Sequence, residues 1–173
     1  MTVEESLKIK DELLKEKKNI EKWIIDEKLS RAEFRKYIEA GALDRLFEHN
    51  SFNEMALSGD WDFTATEKHC MTRCAIEVKY RPKDNHTRYN SVLLEKKKRY
   101  RMKNATDMPL YYATLFKDGV GFIHDIRYVN STWQEGDILM QYDNSGNSMK
   151  VVKPVYFIPN NEGTKISYND ENK

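Results

Sequence analysis

Residues 73–82, RCAIEVKYRP, place Glu77, Lys79 and Arg81 at every second position of an otherwise apolar run. Successive side chains of a strand point to opposite faces, so Ile76, Val78 and Tyr80 form one face and the three charges form the other. The first face reads as core. On an antiparallel edge strand the second face could simply be solvated. The next segments of the chain point to a central strand instead: a crossover over 86–104 and an aromatic-rich strand over 110–116 make a βαβ unit with parallel pairing and a right-handed crossover. Charges on a central strand are costly unless they are paired or hold a metal ion.

The rest of the chain sets the frame. Residues 2–28 carry Val3, Leu7, Leu14, Trp23 and Ile24 on a charged background without Gly or Pro, which predicts a long amphipathic helix. A second helix is expected from Ser30, with Ser30 as N-cap, Glu33 completing a capping box, Leu29 against Phe34 as a staple and Gly41 as the stop. From residue 55 the period changes to two: Trp61, Phe63 and Ala65 alternate with polar residues, and a turn at Glu67-Lys68-His69 leads into a strand over 70–80. Residues 86–104 read as a helix, Asp118-Gly119 as a hairpin turn into a strand over 120–126, and Asn144-Ser145-Gly146-Asn147 as the turn of a further hairpin over 138–143 and 149–158. The division expected is a rather separable helical segment over 1–48, an α/β core with a C-terminal hairpin over 49–159, and a disordered polar tail over 160–173.

The strand before residue 73 brings candidate partners for its charges. Asp60 and Asp62 share the face of Glu77 only if the intervening hairpin loop has an even number of residues or a bulge restores parity. With an even loop centred on Lys68-His69, Asp60 falls opposite Glu77 and Asp62 opposite Ala75. Carboxylates about 5–7 Å apart on neighbouring strands supply hard oxygen ligands for Mg²⁺ or Mn²⁺, with the backbone carbonyl of Val78 as a further donor. Lys79 would then orient or deprotonate an attacking water and stabilise charge on a phosphate. The chemistry implied is phosphodiester hydrolysis.

Asp62 followed by Phe-Thr-Ala-Thr, then Glu77-Val78-Lys79 in an apolar strand, then a helix and a parallel strand, resembles the PD-(D/E)XK nuclease superfamily over about residues 50–130. The resemblance implies a restriction-endonuclease-like αβββαβ core with a mixed sheet, here preceded by the N-terminal helical segment, and Mg²⁺-dependent cleavage of DNA more than of RNA. Asp62 matches the first acidic position, with Asp60 as the alternative, Glu77 the second and Lys79 the motif lysine. Trp61 stands where the Pro that names the motif would be.

Arg88, Ser91, Glu95 and Lys98 follow helical spacing on one face of the 86–104 segment, and in the resembled family such a face can project towards the metal site. The run 95–103, EKKKRYRMK, adds Arg99 and Arg101 around Tyr100, and Arg81 extends the charged strand. Together Arg81, Arg88, Glu95, Lys98, Arg99 and Arg101 are the candidate nucleic-acid contacts, whose binding would be steeply salt-dependent. A net charge of +1, from 29 basic and 28 acidic residues, means that any such surface is local.

No apolar run is long enough to span a bilayer, and the charged N-terminus lacks a secretory signal's apolar stretch, so a soluble, cytoplasmic protein without a membrane partner is expected. Cys70 and Cys74, about 13 Å apart along a strand, predict reduced thiols and no zinc site. Two other readings stand beside the nuclease: a non-catalytic nucleic-acid or protein binding module on the same fold, and an interaction protein forming a homodimer through its N-terminal helix.

Overall fold

The computed structural model describes residues 3–144 and 147–169. Without a Gly or Pro to break it, the N-terminal segment forms one helix, α1 (Val3–Glu39), about 55 Å long at 1.5 Å per residue. The helix start expected at Ser30 does not occur. Ser30 is buried within α1 and its hydroxyl accepts the backbone N–H of Tyr80 at 3.2 Å, so a tertiary partner takes the oxygen that would have capped a new helix. Glu33 likewise accepts from Tyr168 Oη and Lys36 Nζ, and Leu29 is exposed rather than stapled to Phe34. Gly41 does end the helix. At φ +69° it lets the Ala42 N–H reach the Tyr37 carbonyl and its own N–H reach Ile38, a Schellman closure.

Among the described residues, besides three short 3-10 turns, the chain continues as β1 (Asn53–Glu54), β2 (Phe63–Thr66), β3 (Arg73–Arg81), β4 (Ser91–Glu95), α2 (Lys96–Ala105), β5 (Leu110–Phe116), β6 (Val120–Asp125), β7 (Gln134–Asn144), β8 (Asn147–Pro159) and β9 (Thr164–Ser167). A six-stranded sheet has the order β1-β2-β3-β5-β6-β9, and β4-β8-β7 form a second, three-stranded sheet. The large sheet is mixed: β3 and β5 run parallel, and its other pairs are antiparallel. The chain is therefore mixed α/β with a central β3, as a crossover to a parallel partner requires.

The crossover itself differs from expectation. Residues 91–95 are a strand, with Val92 and Leu94 buried between half-buried Ser91, Leu93 and Glu95, and the helix is confined to 96–105. Pairing with β8 along the whole of SVLLE, with burial then alternating from residue to residue, overrides the absence of breakers. Ser91 and Glu95 consequently share no helical face with Lys98.

Each face of the large sheet carries its own core. On one, Phe34, Tyr37, Leu43 and Phe47 pack on Phe63, Ile76, Val78 and Leu115. On the other, Ala75, Tyr112 and Phe122 meet Val92, Leu94, Met102 and Ile158 from β4, α2 and β8. Contrary to the expected division, residues 30–47 are not separable from the α/β core, because they supply the largest side chains of one of its layers. Nor is 160–173 a disordered tail throughout: β9 pairs with β6 and buries Ile166 at the sheet edge, an apolar anchor in an otherwise polar stretch, while 170–173 lie outside the described residues. The β7–β8 hairpin forms as expected, with Ser145 and Gly146 of its turn outside the described residues.

Candidate active site

The ladder between β2 and β3 pairs Phe63 with Ile76 and Thr66 with Arg73, leaving a six-residue loop, 67–72. The loop is even, so the parity condition is met. Its centre lies between His69 and Cys70 rather than at Lys68-His69, because the strand begins at Arg73 and not at residue 70. The ladder ends at Phe63. Beyond it the Asp62 N–H bonds the Ile76 carbonyl at 3.0 Å while its own carbonyl accepts from Met55, a bulge that brings Asp62, not Asp60, up against β3 beside Glu77 without pairing the two directly. Asp60 stands further out and pairs with Arg101 of α2 at 3.1 Å.

Asp62 ends the sheet on the β2 side of β3. Its side chain is buried, and Oδ2 accepts the Val78 backbone N–H at 2.8 Å where β2 no longer supplies a carbonyl. Oδ1 accepts from Arg31 Nε at 3.1 Å and lies 2.9 Å from Nη2 of the same guanidinium. Arg31 also donates to the carbonyls of Met55 and Ala56, which fixes its fork. The N–H and C=O of one strand residue point to the same side, so the Val78 carbonyl faces the way of the N–H that Asp62 holds.

Glu77 lies on the α2 side of the sheet, 5% exposed, and its carboxylate pairs with Lys98 Nζ. Burial first, then the negative charge of Asp62, pushes its pKa up to about 8 against the downward pull of Lys98. A third carboxylate joins them. Glu27 of α1 is half-buried, and its pKa is raised by burial, by the charge of Asp62 and by a hydrogen bond to Asp62. Sequence reasoning missed Glu27 and Arg31, although Glu27 and Phe34 are seven positions apart on one helical stripe with Arg31 between them.

Lys79, next on the Glu77 face, is exposed and lines an open cleft of about 270 Å³ together with Asp26, Leu29, Arg81 and Lys83. The cation paired with Glu77 is thus Lys98 rather than Lys79. The other candidate contacts divide. Arg88 pairs with Asp84 and lies against the Tyr89 ring, Glu95 pairs with Lys153 of β8, and Arg99 donates to the carbonyls of Ile126 and Arg127. These three have structural partners. Arg81 remains in the cleft, and Arg101 is exposed beyond its pair with Asp60.

Among the described residues no three His, Cys, Asp or Glu side chains are placed to hold one ion by themselves. Mg²⁺ does not require that, since it binds through one or two carboxylates and keeps waters or phosphate oxygens for its other positions. The charge of Asp62 raises the proton affinity of Glu77 and of Glu27, and an ion held by such carboxylates and the Val78 carbonyl would relieve that repulsion. Cys70 and Cys74 are free thiols, as expected. No helix among the described residues is long and apolar enough to cross a membrane. No family model matches the chain, and no curated protein or solved structure shows significant similarity to it, so the reading of the site rests on its own geometry.

Proposed function

We propose that this protein is a divalent-cation-dependent nuclease with a restriction-endonuclease-like core, hydrolysing phosphodiester bonds of DNA in preference to RNA. The observation that carries the proposal is that two buried carboxylates converge on adjacent positions of β3, Glu77 within the strand and Asp62 accepting the Val78 N–H, with Glu27 bonded to Asp62 and a cleft with three basic side chains next along the strand. The order α1, β1, β2, β3, α2, β5 supports the core, with β4 as an addition inside the crossover.

Asp62, Glu77 and the Val78 carbonyl would hold Mg²⁺ or Mn²⁺, which when bound supplies a Lewis acid for a phosphate oxygen and a water of lowered pKa. Arg31 and the Val78 N–H fix the Asp62 carboxylate so that its remaining lone pairs are aimed rather than free to turn. Lys98 favours the ionised form of Glu77, the form able to ligate. Lys79, Arg81 and Lys83 would position the strand through its phosphates, and the Lys79 ammonium, nearest in the chain to Glu77, would offset charge developing on the scissile group.

A second reading is favoured by one observation: both central carboxylates already have internal cations, Arg31 and Lys98, as in a purely structural ion network. That network would belong to a binding module without hydrolysis. Supercoiled plasmid, single-stranded DNA and RNA incubated with Mg²⁺ or Mn²⁺ separate the two. The nuclease reading expects cleavage that EDTA abolishes; retention of nucleic acid without cleavage under all conditions would favour the binding module.

A further inference from the structure

The N-terminal part of α1 leaves a series of large apolar side chains in solvent. Leu13, Leu14, Ile20, Trp23 and Ile25 are 61, 49, 52, 48 and 57% exposed. Leu13, Ile20 and Trp23 follow a spacing of seven and three, and the same stripe continues through Glu27 and Ser30 to the buried Phe34. The face that packs on the sheet therefore runs on beyond it. Residues 3–28 contain no alanine, and a helix of such composition is marginal in water without a surface to bury its apolar stripe.

Charge identifies the occupant. Residues 3–12 hold four acidic and two basic residues, whereas residues 14–23 hold four basic and two acidic ones, with Leu13 between the two blocks. Two copies side by side in parallel would set like on like. Running antiparallel, each acidic block faces a basic block, and two-fold symmetry satisfies both ends at once. We infer that residues 3–23 of α1 pair antiparallel with the same segment of a second copy, crossing near Leu13, to form a homodimer. Nothing in this pairing depends on the nuclease reading.

Sedimentation velocity on the full chain tests it. The wild type is expected to be dimeric at about 10–100 µM and to dissociate as salt is raised, since ion pairs along a helix surface are screened. Leu13→Glu and Ile20→Glu should each be monomeric with the α/β core still folded by near-UV circular dichroism, because both positions are exposed and neither contributes to the core. Reversing Lys15, Lys17, Lys18 and Lys22 to Glu should weaken self-association at least about tenfold, and mixing this variant with one carrying Lys at 4, 5, 11 and 12 should restore dimers. Direction is read by oxidative crosslinking in a Cys70→Ser background: Leu13→Cys should crosslink and Ile20→Cys should not, as antiparallel pairing holds the two copies of position 20 about 21 Å apart. A wild type that stays monomeric at about 100 µM would overturn the inference and leave the face to a different partner. So would crosslinking of Ile20→Cys as fast as Leu13→Cys, or a dimer indifferent to the charge reversal.

Discussion

Arg31 and Asp62, thirty-one residues apart, form an ion pair of 2.9 Å whose side chains are 3% and 2% exposed. It joins the long N-terminal helix to the strand end where the candidate site is built. Breaking one partner of such a buried pair leaves an uncompensated charge, at about 3–5 kcal/mol. Arg31→Met should therefore lower stability by that order in urea denaturation, and Arg31→Met with Asp62→Asn should recover part of the loss. A single variant as stable as wild type would show that the pair does not anchor α1.

Glu77 gives a pH dependence of defined sign. Its folded-state pKa, about 8, lies above the ordinary 4.5, so the folded chain binds more protons than the unfolded one between those values. Stability contributed by the protonated carboxyl is full below the unfolded value and is lost as pH rises towards 8. In EDTA, Glu77→Gln should gain on wild type by a few kcal/mol, to order of magnitude, between about pH 5 and about pH 8.5. Equal urea midpoints for the two proteins at both pH values would contradict this.

The same charges predict cation binding. Saturating Mg²⁺ should stabilise wild type by about 2–3 kcal/mol at roughly a hundredfold excess over Kd, and leave Glu77→Gln and Asp62→Asn unmoved. Thermal unfolding with and without Mg²⁺ checks it. Equal responses in all three proteins would place the cation elsewhere.

Tyr37 offers a test of the core. Its ring meets Tyr168 edge to face at 4.7 Å, while its hydroxyl is buried and, among the described residues, without a hydrogen-bond partner. Tyr37→Phe keeps the ring and removes the unsatisfied group, so it should be neutral or stabilising by about 1 kcal/mol, whereas Phe34→Ala should cost about 3–5 kcal/mol. A marked loss for Tyr37→Phe on urea denaturation would mean that the hydroxyl is satisfied.

Much of the strand chemistry was legible because alternation is local: Ile76, Val78 and the charge at Glu77 could be assigned to faces from residues 73–82 alone, and Asp118-Gly119 announced its turn. Register was not. A shift of two residues decides whether Asp60 or Asp62 is brought against β3, and it depends on where β3 begins and on the bulge at Asp62, neither of which residues 60–80 announce by themselves. Ser30 misled for a similar reason, since its hydroxyl is claimed by Tyr80, fifty residues on. The stretch 91–95 was ambiguous because five residues with two buried aliphatics suit either a strand or a helix until β8 is known. Glu27 was hidden among the charges of α1, where only its helical spacing from Phe34 distinguishes it.

The proposal that Glu77 belongs to a cation-dependent hydrolytic centre is tested most directly by single-turnover cleavage of end-labelled DNA in Mg²⁺. The proteins to compare are wild type, Glu77→Gln and the exposed helix control Lys103→Ala. A loss of at least about a hundredfold in rate is expected for Glu77→Gln, with its fold intact by circular dichroism, and a rate within about threefold of wild type for Lys103→Ala. Cleavage by Glu77→Gln at the wild-type rate, or no cleavage by wild type with any substrate and either metal, would contradict the proposal.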